Sequence, residues 1–332
     1  MELTTIWFTL IAVLWIGYFV LEGFDFGVGI LLPILGRDEP ERRAILRTIG
    51  PVWDGNEVWV LVAGGATFAA FPEWYATLFS GFYLPLFLIL VGLITRGVAI
   101  EYRNKRGSLA WRSRWDVLVA VASFIPALLW GVAFANIVAG VPIDAHRNYT
   151  GDLFTLLNPF GLLGGLTTLS LFLTHGLVFL ALKTEGEIRE RANRLVAPVG
   201  LVTAVIAVAF LAWANAQTGT AVSWAVAVVA ALAFVGGLVA NRVKREGWAF
   251  IGSAVAIALA VVSLFVALFP DVMPSTTDPS FSLTTANASS TPYTLTIMTV
   301  VAVVFTPIVL IYQGWTYYVF RRRVSVQRPA KP

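Results

Sequence analysis

Long apolar runs separated by short polar segments recur along the whole chain. Apolar runs of about 18 or more residues are typical of transmembrane helices. Strands of a membrane barrel would alternate apolar and polar residues, and segment 201–213, LVTAVIAVAFLAW, shows no such alternation. Because the backbone must satisfy its own hydrogen bonds in lipid, these runs are predicted to be helices. We predict nine spans, at residues 5–33, 51–71, 76–100, 116–140, 159–182, 196–216, 221–240, 248–269 and 292–318.

This pattern predicts an all-α integral membrane protein with a single polytopic domain over residues 1–332. We expect two four-helix bundles and a peripheral ninth helix. The longest predicted loop, 271–291, is rich in Ser, Thr and Pro and too short for a separate soluble domain. The first apolar run lacks the basic start and the cleavage site of a signal peptide, and it is too long for one.

The basic residues predict how the chain is oriented in the membrane. All of them except Arg147 fall on one predicted side. They are Arg37, Arg42, Arg43 and Arg47 in the first loop, Arg96, Arg103, Lys105, Arg106, Arg112 and Arg114 around the third, Lys183, Arg189, Arg191 and Arg194 in the fifth, Arg242, Lys244 and Arg245 in the seventh, and Arg321, Arg322, Arg323, Arg328 and Lys331 in the C-terminal tail. The positive-inside rule then places the N-terminus outside and the C-terminus in the cytoplasm.

Composition narrows the possible functions. The chain is 58% hydrophobic and 13% charged, whereas soluble domains carry about 25% charged residues. We therefore expect a multi-pass protein of the cell membrane, whose net charge of +4 reflects orientation rather than nucleic-acid binding. Cysteine is absent and histidine occurs only twice, which excludes iron–sulfur and thiolate sites. Few side chains therefore remain that could ligate haem or most transition metals.

Ionisable residues inside the predicted spans are candidates for function, because charge in the membrane is costly. Glu22 and Asp25 are three residues apart in the first span, and Asp54 and Glu57 share that spacing in the second. Residues three apart lie on one helix face, and the predicted directions place these acids and Arg96 in the cytoplasmic half. One interpretation is a path for protons from the cytoplasm. The other is structural pairing of the acids with arginines, with Arg96 as a counter-charge.

A histidine and two pairs of glycines are the other notable residues in the predicted spans. His175, in the fifth span, is either a proton carrier or ligand, or a neutral side chain hydrogen-bonded to a neighbouring helix. The small residues Gly23 and Gly27 predict close approach of another helix. We interpret Gly64 and Gly65 in the same way.

Five sequence segments resemble subunit II of the cytochrome bd-type quinol oxidases. Between residues 116 and 269 the likeness is limited to hydropathy and position. The most specific feature is WDGNEVW (53–59), which has the form WDGN-x-VW. The segments are GFDFGVG (23–29), GRDEPERR (36–43), WDGNEVWVLVAGGATFAAFP (53–72), FSGFYLPLFLIL (79–90) and TTANASSTPYTLTIM (284–298).

This resemblance implies a bacterial plasma-membrane enzyme complex. The obligate partner would be subunit I, which holds haem b and haem d and the quinol site. The complex would oxidise quinol and reduce dioxygen to water with protons from the cytoplasm. This chain itself would bind no haem, other cofactor or metal and would carry no catalytic residue in the strict sense. A bound structural quinone, membrane lipids and small accessory subunits stay open as further partners.

The resemblance also implies roles for single residues. Asp54 matches the family's candidate for proton entry at the contact with subunit I, and Trp59 matches a residue lining a proposed dioxygen route. Asp25 keeps the acid of the family's GFD sequence, and Glu22 holds a place where another acid also occurs. Glu57 stands where some members carry a neutral amide.

A proton-coupled secondary transporter is the alternative that the residues alone leave open. Pro85, Pro126 and Pro307 lie inside predicted spans, and interrupted helices are common in transporters. However, the acids are predicted to be off-centre, and no polar site at the membrane midplane is evident. A purely structural subunit is the third possibility.

Overall fold

The computed structural model describes residues 2–327. Arg328 and Lys331, which we predicted to lie in the cytoplasmic tail, are outside the described residues. The fold is α-helical, as predicted, with one small antiparallel sheet formed by β1 (Asp271–Met273) and β2 (Leu283–Thr284). The helices are α1 (Leu3–Leu35), α2 (Glu39–Ile49), α3 (Trp53–Ala70), α4 (Pro72–Gly81), α5 (Tyr83–Tyr102), α6 (Leu109–Ala139), α7 (Leu153–Leu156), α8 (Pro159–Lys183), α9 (Gly186–Thr218), α10 (Ala221–Arg242), α11 (Glu246–Leu268) and α12 (Pro292–Val319).

Eight helices within residues 2–327 are long and apolar enough to cross a membrane. They correspond to every predicted span except the second, which forms α3. This helix has 18 residues, so it is about 27 Å long, close to the roughly 30 Å of a bilayer's hydrocarbon core. Its first turns are polar, because they carry Asp54, Asn56 and Glu57. Nine crossings, the two-bundle arrangement and the orientation stay predictions.

The predicted third span, 76–100, is wrong at its start. The helix is interrupted at Phe82, between α4 and α5, so residues 76–81 belong to a separate short helix. Pro85 lies in the first turn of α5, where a missing backbone N–H breaks no helical hydrogen bond. Hydropathy alone could not locate this break, because both sides of it are apolar.

The first predicted loop contains a helix, α2, that the hydropathy pattern missed. The side chain of Asp38 caps it by accepting a hydrogen bond from the backbone N–H of Glu41 at 2.9 Å. Pro40 lies in the first turn, which is a favoured position for proline. These start signals were present in the sequence. Two other helices also extend into predicted loops. α6 begins at Leu109 and α9 at Gly186, before the predicted starts at 116 and 196, so Arg112 and Arg191 lie on helices.

The predicted close approach at Gly23 and Gly27 is confirmed. A Cβ atom on Gly27 would lie 2.0 Å from the carbonyl oxygen of Phe172 on α8, and one on Gly23 would meet the ring of the same residue. The two helices therefore touch through their backbones. The same prediction for Gly64 and Gly65 is wrong within this chain, because a Cβ on either would meet no described atom within 4 Å.

Candidate functional site

Three carboxylates and one guanidinium meet where α1, α3 and α5 pack together. Glu22 and Asp25 on α1 and Arg96 on α5 are fully buried. The Nη2 atom of Arg96 pairs with Glu22 and lies 2.7 Å from Oε2 of Glu57, whose side chain on α3 is 22% exposed. We call Glu22, Asp25, Glu57 and Arg96 the acid cluster. The sequence predicted its members, because ionisable residues are conspicuous in apolar helices.

The charges of the acid cluster do not balance. Arg96 can neutralise one carboxylate, whereas the cluster contains three. Oδ1 of Asp25, Oε2 of Glu22 and two guanidinium nitrogens of Arg96 have no hydrogen-bond partner among the described residues. Because uncompensated charge is costly in a buried site, the arrangement is suited to groups that take up and release protons.

An amide from α3 holds one oxygen of Asp25. Nδ2 of Asn56 donates to Oδ2 of Asp25 at 2.7 Å and to the carbonyl oxygen of Leu21 at 3.4 Å. Oδ1 of Asn56 accepts from the hydroxyl of Tyr317 at 2.7 Å and from Nε2 of Gln313 at 3.3 Å. The sequence reasoning missed these two α12 residues and Asn56, although a glutamine inside an apolar helix is a signal for contact between helices.

Trp59 lies at the junction of α1, α3 and α12. Its indole N–H donates to Oε1 of Gln313 at 2.9 Å. Its ring fills the space beside Gly17, where a Cβ atom would approach the ring to 2.0 Å. The indole is therefore fixed at one edge by a hydrogen bond and on one face by a glycine.

Asp54 does not join the acid cluster. Its side chain is exposed, and among the described residues Oδ1 accepts a hydrogen bond from the backbone N–H of Gly55 alone, at 2.8 Å. Three-residue spacing separates side chains by about 60° around the helix, which is enough to put Glu57 against Arg96 and Asp54 on the outer surface. As the acid in the first turn of α3, Asp54 lies near the positive end of the helix dipole.

His175 is buried, and its ring nitrogens contact α11 and the backbone of α1 rather than a member of the acid cluster. Nδ1 is 2.7 Å from Oγ of Ser253, and Nε2 is 3.1 Å from the carbonyl oxygen of Val20. A carbonyl only accepts, so Nε2 carries a proton. The ring also stacks on Phe250 with centroids 4.7 Å apart. Both nitrogens are therefore engaged in contacts between helices.

A second group of charges, of which Arg103 and Asp116 are buried and the others half-buried, joins α2 to the ends of α5 and α6. The side chain of Asp116 accepts from Arg103 at 2.5 Å and from Arg42 at 3.2 Å. Glu39 accepts from Arg103 at 2.8 Å and from Arg112 at 3.1 Å. We call Arg42, Glu39, Arg103, Arg112 and Asp116 the ion-pair cluster. Burial alone would raise the pKa of Glu39, but the hydrogen bonds and charges of the arginines lower it below its ordinary value.

Within residues 2–327, no three His, Asp or Glu side chains have a geometry that could hold a metal ion. Of the two histidines, His146 lies in the exposed loop after α6, and both nitrogens of His175 are already bonded. These donors do not fit an axial ligand set for haem.

Comparison with known proteins identifies the family. The family described as cytochrome bd terminal oxidase subunit II matches residues 3–320. Cytochrome bd ubiquinol oxidase subunit 2 of Bacillus subtilis is 42% identical over 333 residues, covering 99% of this chain and 98% of that protein. Cytochrome bd-I ubiquinol oxidase subunit 2 of Escherichia coli K12 is 37% identical over 358 residues, covering 96% and 94%.

A solved structure has the same fold. It is that of the bd oxidase from Geobacillus thermodenitrificans, and one of its chains matches with a TM-score of 0.80 at 18% identity, covering 96% of this chain and 99% of that one. The resemblance drawn from the sequence is thus confirmed: the chain belongs to the cytochrome bd terminal oxidase subunit II family.

Proposed function

We propose that this chain is the haem-free subunit of a quinol:dioxygen oxidoreductase, and that it contributes to proton uptake and to dioxygen access. As a member of its family it is a multi-pass protein of the bacterial plasma membrane and one subunit of a terminal oxidase complex. The named relatives act on ubiquinol. A proton-coupled transporter is not supported, because the family accounts for nearly the whole chain.

The partner subunit would hold haem b and haem d and the quinol site. The donors of this chain do not fit a haem, as described for His175 and His146. When bound in the partner, the haems supply the electron transfer that reduces dioxygen. A structural quinone, bound lipids and accessory subunits remain predictions, as does a single domain over residues 1–332.

The role in proton uptake rests on the charge excess of the acid cluster. Asn56 holds Oδ2 of Asp25, while Oδ1, which has no hydrogen-bond partner in the part of the chain that the structure describes, would accept the proton. Nη2 of Arg96 pairs with both Glu22 and Glu57. A proton taken from the cytoplasmic side would reduce the excess of negative charge, and Asp54 at the surface of α3 could exchange it with the partner subunit.

The role in dioxygen access rests on Trp59. Dioxygen dissolves in lipid, so an apolar passage between helices can deliver it without polar groups. The anchored indole presents a fixed apolar surface at the junction of three helices. We propose that this surface forms one wall of such a passage.

The replacement Asp25→Asn tests the proton proposal. In an assembled complex with full haem content, we expect quinol-driven dioxygen uptake to fall by roughly tenfold or more, because a positioned proton acceptor is removed. Asp54→Asn should also slow uptake. Glu73→Gln, which alters an exposed ion pair with Arg147, is the control. If Asp25→Asn and Asp54→Asn leave turnover unchanged over a range of pH, protons do not pass through these groups.

A further inference from the structure

α12 packs loosely on the rest of the chain, yet two of its polar side chains bond to Asn56, the amide that holds Asp25. Most of its side chains are exposed, and Leu295 is its one buried residue among those described. Near its start, the indole of Trp7 donates to Thr299 at 3.1 Å. Near its end, Gln313 and Tyr317 are four residues apart and so lie on one helix face, and both donate to Asn56. The second attachment is the one that reaches a buried functional group.

The bonds from α12 fix the orientation of the Asn56 amide. The amide uses both of its N–H groups and accepts two hydrogen bonds, which is its full capacity. If it turned over, its NH₂ group would face the NH₂ group of Gln313. Its oxygen would then face Oδ2 of Asp25 and the carbonyl of Leu21, neither of which can donate while Asp25 is ionised. The side chains of α12 thus keep an N–H directed at the carboxylate of Asp25.

The orientation of Gln313 is set in turn by Trp59. An indole nitrogen can only donate, so the Gln313 oxygen faces Trp59 and its NH₂ group faces Asn56. A directed series of hydrogen bonds therefore runs from Trp59 through Gln313 and Asn56 to Asp25. Tyr317 lies outside this series, because its hydroxyl donates to Asn56 and does not bond to Gln313 or Trp59 among the described residues.

We propose that Gln313 and Tyr317 are positioning residues, through which α12 holds the carboxyl group of Asp25 and the indole of Trp59 in a fixed relation. This inference rests on the proposed function, which assigns proton uptake to Asp25 and dioxygen access to Trp59. The titratable groups that act on Asp25 come from its own helix and from three others. They are Glu22, Asp54, Glu57, Arg96 and Tyr317.

Replacing each positioning residue separately tests the inference in the assembled complex. Tyr317→Phe removes the hydroxyl that supports Asn56. It should move the midpoint of the pH dependence of dioxygen uptake by about 0.5 to 1 pH unit toward higher pH, because the donor to the carboxylate is less firmly held. The KM for dioxygen should not change.

Gln313→Met removes the hydrogen bond from Trp59 and the hydrogen bond to Asn56. It should shift the pH midpoint and also raise the KM for dioxygen, with the KM for quinol unchanged. Gln313→Glu keeps an acceptor for Trp59 but removes the donor to Asn56, so it should shift the pH midpoint without altering the KM for dioxygen. Thr316→Ala is the matched control, because within residues 2–327 the Thr316 hydroxyl donates only to the carbonyl oxygen of Tyr312 on its own helix, at 3.1 Å.

Three results would overturn the inference. The first is that the variants keep the wild-type pH midpoint and KM values. The second is that they lower the maximum rate uniformly at full haem content, as a purely structural role would. The third is that Asp25→Asn and Trp59→Ala, measured in parallel, behave as wild type, which would remove the proposed function as well. A response of those two variants without a response of the Gln313 and Tyr317 variants would exclude the positioning role alone.

Discussion

The acid cluster and the ion-pair cluster bury similar groups but differ in their balance of charge. In the ion-pair cluster, two carboxylates face three guanidinium groups, and every carboxylate oxygen of Glu39 and Asp116 accepts a hydrogen bond. In the acid cluster, three carboxylates face Arg96, and Oδ1 of Asp25 has no partner among the described residues. A saturated cluster leaves no oxygen available for a proton, whereas an unsaturated one does. We infer that the first fixes the structure and the second performs proton chemistry.

The largest expected effect is a loss of stability of the complex when the ion-pair cluster is disrupted. Asp116→Asn leaves the buried Arg103 with only Glu39 as a charged partner, and breaking a buried ion pair costs about 3–5 kcal/mol. We expect a markedly lower Tm of the purified complex and less of it in the membrane. Turnover per assembled complex should stay near that of the wild type.

Glu187→Gln is the control for this replacement. Its ion pair with Arg191 involves a glutamate side chain that is 68% exposed, and exposed pairs contribute little to stability. An equal loss of Tm in the two variants would show that burial of the ion-pair cluster is not what stabilises this end of the protein.

Replacing a carboxylate of the acid cluster should affect turnover rather than stability. Glu22→Gln removes one of three carboxylates, and Arg96 keeps Glu57 as a partner. We expect the Tm to change little, because the excess of negative charge falls, and we expect dioxygen uptake to slow several-fold. A large loss of Tm with normal turnover would assign the acid cluster a structural role.

The smallest expected effect is the pH dependence of stability contributed by Glu39. Its pKa in the folded protein lies below its ordinary value of 4.5. Its stabilising contribution is therefore complete above pH 4.5 and is lost as the pH falls through the lowered pKa. The Tm of the wild type, measured between about pH 3 and 6, should fall more steeply toward acid than that of Glu39→Gln. Parallel curves would contradict this account of the ion-pair cluster.

Local sequence predicted the helices well, because long apolar runs leave little alternative in a membrane. It also predicted all four members of the acid cluster, since Glu22, Asp25, Glu57 and Arg96 stand out in apolar helices. It did not separate Asp54 from Glu57, because three-residue spacing allows one side chain to be buried and the other exposed. The break at Phe82 was missed because apolar residues flank it on both sides.

Contacts between distant parts of the chain could not be predicted. Asn56 meets Tyr317 across 261 positions, and no local pattern encodes such a distance. The ion-pair cluster was missed for the same reason, since its arginines were assigned to loops and their partners, Glu39 and Asp116, lie on two different helices. Sequence identifies ionisable groups, but their partners, and so their roles, emerge only from the packing of the helices.

The most direct test of the central claim is the infrared difference spectrum of the complex between its oxidised and reduced states. A carboxyl group that binds or releases a proton during turnover gives a C=O stretching band, which is absent from a carboxylate. We predict such a band in the wild type and in any Asp116→Asn complex that assembles, and its loss or displacement in Asp25→Asn. A band that is unchanged in Asp25→Asn would show that the proton is bound elsewhere and would contradict the role of the acid cluster.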